Sequence, residues 1–181
     1  MKKYFGFMFA FCVFGMAQSL LGQKGETFPM MLGKNLENKP VTISGKNTKF
    51  TVVGLVYNRD AEVELKKWLN PMYETFVKKS ESGKNNFDMA EVYDVYFYFV
   101  PMISIFKKAV EDFKNGTDKE FWKYIVDSDT DIKMLKKKFN VTDDKEPYFY
   151  VLDKDGKIVE WVSGKYTAAK MSKIEDAAAA D

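Results

Sequence analysis

Few residues in this chain could do chemistry. Histidine is absent and cysteine occurs once, at Cys12. That removes the commonest general base and the commonest transition-metal ligand together. What remains is a small set of polar sites. The loop Tyr57-Asn58-Arg59-Asp60 follows one apolar run, and Glu146-Pro147 leads into another. In these, Arg59 supplies a fork of donors suited to a carboxylate or a peptide backbone; the plainer alternative is a solvated loop with a helix cap. Asp127-Ser-Asp-Thr-Asp131 imitates the start of a calcium loop. Counted from Asp127, however, Ile132 stands where glycine is required and Lys138 where glutamate is required, so the acids are better read as helix capping. Asp153-Lys-Asp-Gly156 reads as a hairpin turn rather than a metal site. Lys133, Lys136, Lys137 and Lys138 form a basic helical face, solvated by default, with an anionic membrane surface as the alternative contact. No paired-carboxylate or glycine-rich phosphate pattern is present. No metal or cofactor is therefore expected.

The elements that would position these residues can be read from the body of the chain. Phe50 to Tyr57, FTVVGLVY, is a nearly continuous apolar run, as expected of a strand buried on both faces. Leu65, Leu69, Met72 and Phe76 then recur at helical spacing, with Asp60 as the expected N-cap and Pro71 as a kink or break. Val92 to Val100 predicts a second buried strand, Ile103 to Phe113 a short helix, Phe121 to Val126 a short strand, and Ile132 to Phe139 a helix. Glu146 to Tyr166 predicts a hairpin, entered through Pro147 and turning at Asp155-Gly156, and Thr167 to Ala180 a last helix. Ahead of all this, Phe28, Met30 and Leu32 alternate, Gly33-Lys34-Asn35 suggests a turn, and Val41 to Ile43 a return strand, giving an N-terminal β-hairpin. The aromatic strands (Tyr93, Tyr96 to Phe99; Tyr148 to Tyr150) are read as core rather than as a cofactor pocket. One of Trp68, Trp122 and Trp161 is a candidate exposed contact.

The 181 residues suffice for one domain with a sizeable core, and 46% hydrophobic and 16% aromatic content argues against disorder. Residues 1–21, MKKYFGFMFAFCVFGMAQSLL, carry a positive start, an apolar stretch and small residues before Gln18. They are expected to be a signal peptide over 1–17, removed to leave a single domain over 18–181, exported to a periplasm or secreted. The competing reading is an uncleaved anchor over residues 4–21, which alone would bring membrane contact. Loss of Lys2 and Lys3 leaves 26 basic and 26 acidic residues, so nothing in the charge favours nucleic acid. It also removes Cys12, so no disulfide framework is expected. Asn115-Gly-Thr117 and Asn140-Val-Thr142 match glycosylation sequons.

The order of elements is β-β, then β-α-β-α-(β)-α-β-β-α, an α/β plan with an antiparallel close. Five features carry a resemblance: the strand-loop-helix at Phe50 to Val77, the strand at Val92 to Val100, Lys138-Phe139-Asn140-Val141, the proline at Pro147, and Asp153-Lys-Asp-Gly-Lys-Ile158 followed by Gly164. Together they resemble the thioredoxin-like superfamily, in its exported redoxin or TlpA-like branch. The resemblance implies a central mixed sheet flanked by helices and a cis peptide before Pro147, facing the loop after the first buried strand. In active relatives that loop carries a Cys-x-x-Cys pair or a single peroxidatic cysteine. Here it reads Tyr57-Asn58-Arg59-Asp60-Ala61-Glu62. Thiol-disulfide exchange needs a thiolate, so oxidoreductase or peroxidase activity is not expected. Trp68-Leu-Asn-Pro71 is also similar to the first helix of mitochondrial factors that assist ATP synthase assembly, which look like cysteine-poor thioredoxin folds.

These observations lead to a non-catalytic binding or assembly protein. Its protein or peptide partner would meet the former active-site groove at Tyr57, Asn58, Arg59, Asp60, Glu146 and Pro147. The alternatives are an enzyme working through acids, Lys or Tyr, and a membrane-anchored assembly factor.

Overall fold

The structure, a computed structural model, describes residues 23–43, 46–78, 95–101 and 107–179. The expected signal segment, Cys12, and the starts of the strand at Val92 and of the helix at Ile103 lie outside these residues. The strands are β1 (Met31–Asn35), β2 (Pro40–Ile43), β3 (Phe50–Leu55), β4 (Val95–Val100), β5 (Val126–Ser128), β6 (Tyr148–Leu152) and β7 (Ile158–Ser163). The helices are α1 (Glu62–Tyr73), α2 (Lys107–Asn115), α3 (Ile132–Lys138) and α4 (Ala168–Ala179).

A four-stranded sheet in the order β4-β3-β6-β7 forms the centre, and β2-β1-β5 makes a second sheet. β3 runs parallel to β4 and antiparallel to β6, which in turn pairs antiparallel with β7. This is the mixed sheet that the thioredoxin-like resemblance implies. Its central strands are apolar throughout because both faces are covered. On β6, Phe149 and Val151 join the cluster of Trp68, Leu65, Met171 and Ile174, while Tyr148, Tyr150 and Leu152 join that of Phe28, Met31, Leu135 and Phe139. α1 and α4 therefore cover one face, and α3 and the small sheet cover the other.

Gly54 lets this layer close. Opposite Phe149 in the β3–β6 register, it leaves room for the phenyl ring, whose Cδ1 would lie 2.8 Å from a Cβ. Trp68 stacks on the other side of that ring at 4.2 Å and donates its indole N–H to Gly164 O at 3.1 Å. Of the three tryptophans Trp68 is fully buried; Trp122 and Trp161 are half-buried.

Several local expectations are corrected. Met31, not Met30 or Leu32, faces the core; those two are 61% and 49% exposed. A one-residue change of register moves a strand's side chains to its other face. The first hairpin turns after Asn35, whose Oδ1 accepts from Glu37 N and Lys39 N, and Asn38 takes the left-handed conformation (φ 64°). Gly33 is instead needed inside β1, where β5 passes so close that a Cβ would meet Ser128 Cα at 2.9 Å. The segment Lys119–Tyr124 is a 3-10 turn, with Tyr124 stacked on Phe97 at 4.2 Å, and the strand begins only at Val126. Pro71 does not end α1. Glu74 N reaches both Asn70 O and Pro71 O, and the helix runs on through a widened π turn at Glu74–Lys78. Asp131 caps α3, accepting from Lys133 N and Met134 N, as the acidic run predicted. Asp153 Oδ1 accepts from Asp155 N and Lys157 N, closing the β6–β7 turn at Gly156 (φ 78°).

Candidate functional site

The site lies where β3 ends and β6 begins. Leu55 pairs with Tyr148, so the loop leaving β3 and the proline entering β6 meet at one end of the sheet. Tyr57 anchors the loop from below. Its ring packs edge-on against Tyr148 at 5.4 Å, and its hydroxyl lies 3.0 Å from that of Tyr150. Burial raises both hydroxyls well above the usual tyrosine range, so both stay protonated. The Tyr148 hydroxyl donates to Asp143 O at 2.9 Å, tying the approach to Pro147 onto the same floor.

Asn58, with extended backbone, accepts from Asp60 N at 3.1 Å and so caps a 3-10 turn at Arg59–Ala61. Asp60 was the expected cap, but it lies inside that turn, and α1 starts at Glu62 without a side-chain cap. The Asp144 carboxylate is held below its usual range, first by Lys136 and to a smaller degree by the Asn58 amide. Lys136 and Asp144 form an ion pair. Arg59 and Asp60 are exposed at the rim, and neither side chain has an ion-pair partner among the described residues.

The peptide before Pro147 is trans, where cis was expected. Trans is the ordinary state of an X-Pro bond unless its surroundings require otherwise. Here it carries Pro147 O directly to Gly164 N at 2.9 Å, so pairing with β7 begins at once. Pro147 is buried and Glu146 half-buried. Glu146 Oε2 is shielded, with no hydrogen-bond partner among the described residues. It lies 3.5 Å from where a Cβ on Gly164 would sit, and Lys170 Nζ lies 2.9 Å from the same point. Gly164 has φ 94°, a conformation that suits glycine.

Of the six residues read from the sequence, Tyr57 and Pro147 are buried at this end of the sheet, Asn58 caps the turn, Arg59 and Asp60 are exposed on it, and Glu146 is half-buried near Gly164. Sequence reasoning missed Asp144, Lys136, Gly164 and Lys170. Lys136 belongs to the helical face expected to be solvated, and an ion pair between residues eight apart leaves no periodic trace. What the arrangement offers is a buried aromatic floor of Tyr57, Tyr148 and Tyr150 beside an exposed polar loop.

Comparison with known proteins agrees with this geometry. The family model described as ATP10 protein matches residues 17–177. Among solved structures, the thioredoxin domain of a thiol-disulfide oxidoreductase from Bacteroides vulgatus is similar, with a TM-score of 0.58 at 16% identity over 86% of this chain and 97% of that one. A peroxiredoxin-like protein from Aquifex aeolicus gives 0.52 at 16% identity over 85% of this chain and 86% of its own. No curated protein matches in sequence. The fold is thioredoxin-like, and with one cysteine in the whole chain no Cys-x-x-Cys pair can be formed.

Proposed function

Because the chain belongs to the ATP10 protein family and keeps a thioredoxin-like fold without the cysteine pair, we propose that it is a non-catalytic assembly module. It holds a segment of a protein partner at the former active-site groove. The observation that carries this reading is the loop Asn58-Arg59-Asp60. It leaves the same end of the sheet at which Pro147 enters β6, is capped by Asn58, and presents Arg59 and Asp60, exposed and without ion-pair partners among the described residues. Arg59 would grip a carboxylate or backbone carbonyls of the partner through its fork of donors. Glu146 and Asp60 would favour a neighbouring cation on it.

The test is a crosslinking pull-down with wild type and the pair Arg59→Ala plus Asp60→Ala. The exposed substitutions leave the fold intact, and the loss of specific partners is expected. An unchanged partner set would move the binding surface away from the groove. Turnover in a thiol-reductase or peroxidase assay would refute the non-catalytic part. The chain is further proposed to be exported, with residues 1–17 removed; N-terminal sequencing of the mature protein checks this, and an intact Met1 would favour the anchored form.

A further inference from the structure

We infer that the solvent face of the small sheet, β2-β1-β5, is the contact through which two copies of this chain form a weak two-fold dimer. In this sheet Met31, Asn35, Ile43 and Val126 turn inward and are buried. The alternate positions Leu32, Lys34 and Thr42 are exposed, as is Met30 just ahead of β1. One solvated face is ordinary for an antiparallel sheet, but such a face is ordinarily polar. Here its middle is apolar. Met30 and Leu32 are 61% and 49% exposed, and Thr42 lies beside Leu32 in the register. The alternation of Met30 and Leu32 is the pattern of side chains that face a core, and the chain's own core does not bury them.

The charges on the same face make it complementary to itself. Lys34 stands opposite Asp127 in the β1–β5 register, and Asp129 follows, its backbone N–H donating to Leu32 O at 3.0 Å. None of these three side chains has an ion-pair partner among the described residues. Asp127 Oδ1 also lacks a hydrogen-bond donor among them. Burial, and then the like charge of Asp129, hold the Asp127 carboxyl above its usual range. An isologous contact brings the same patch of both copies together, so the patch must supply its own complement. This one does. Lys34 of one copy meets the Asp127 and Asp129 pair of the other, in both directions, around Met30 and Leu32. A partner of single charge would answer only one half of the face. The face is small beside the about 20–30 residues that each partner gives to a stable complex, so the dimer is weak and forms only at high concentration.

The test is analytical ultracentrifugation of the purified protein over a wide range of concentration. Expected is a monomer–dimer equilibrium, weakened about a hundred-fold by Met30→Ser plus Leu32→Ser, since both copies lose the apolar centre. Lys34→Glu should weaken it about ten-fold by setting like charges against each other. Asp129→Lys alone should also weaken it, and combined with Lys34→Glu should recover most of the loss, because the signs are then exchanged across the contact. All four positions are exposed, so these variants keep the fold. Thr42→Arg, also at an exposed position, obstructs the same face independently and should leave a monomer. A protein that stays monomeric at every concentration would overturn the inference. So would a dimer indifferent to the Met30 and Leu32 substitutions, which would be using another surface, or charge reversals that do not rescue each other. The Arg59→Ala plus Asp60→Ala protein should dimerise as wild type does, so this inference and the groove reading stand or fall separately.

Discussion

Tyr57→Phe and Tyr150→Phe, singly and together, probe the floor of the groove. The two hydroxyls are 3.0 Å apart and buried, and among the described residues each has the other as its hydrogen-bond partner. Removing one leaves the other shielded and unsatisfied, which costs about 1–3 kcal/mol. Removing both leaves two phenyl rings in nearly the same space and no orphan, so the double variant should cost about as little as 0–1 kcal/mol. The cycle therefore predicts a coupling of about 2–3 kcal/mol, with each single variant the less stable. Urea unfolding at neutral pH reads this as lower midpoints for the single variants at unchanged m. Two neutral single substitutions that simply add would refute the reasoning, since the hydroxyl pair would then not be shielded from water. Ionisation gives a second view of the same pair. Both folded pKa values lie above the unfolded one, so the folded state retains protons that the unfolded state releases. Stability is full below about pH 10 and falls above it, by about 1.4 kcal/mol per pH unit for each group. The double phenylalanine variant should show a shallower alkaline loss.

Other perturbations test neighbouring parts of the structure. Gly164→Ala forces a side chain into a left-handed position beside Lys170 and should cost about 1–2 kcal/mol by thermal unfolding; a neutral result would contradict the turn geometry. Gly54→Ala drives a methyl into the Phe149 ring and should cost about 1–3 kcal/mol or more, with Trp68 fluorescence shifting as its stacking partner moves. Asp127 is raised by burial and by Asp129, and its Oδ1 has no hydrogen-bond partner among the described residues. Its folded state thus binds a proton more readily, stability should rise as the pH is lowered toward its titration, and Asp127→Asn should remove that rise. Lys136→Met should let Asp144 titrate closer to its ordinary range, seen by carboxyl NMR.

Much was settled by composition and local pattern. The single Cys12 excludes a cysteine pair within the chain whatever the fold. Continuous apolar runs at Phe50 to Tyr57 and Tyr148 to Leu152 announced doubly covered strands, because covering both faces suppresses alternation. Asp131, Asp153 and Gly156 could be assigned because capping and tight turns are satisfied within a few residues of chain. Register and distant pairing were decided only by the folded chain. Whether Met30 or Met31 faces inward depends on which partner strand arrives, and Gly33 marks the approach of Asp127 to Ser128, almost a hundred residues away. The trans bond before Pro147, the meeting of the Tyr57 and Tyr150 hydroxyls, and the docking of Gln23 on Phe139 all depend on segments with no local reason to meet. Their energies arise from burial shared between elements, and no one stretch of sequence contains both halves of such a contact.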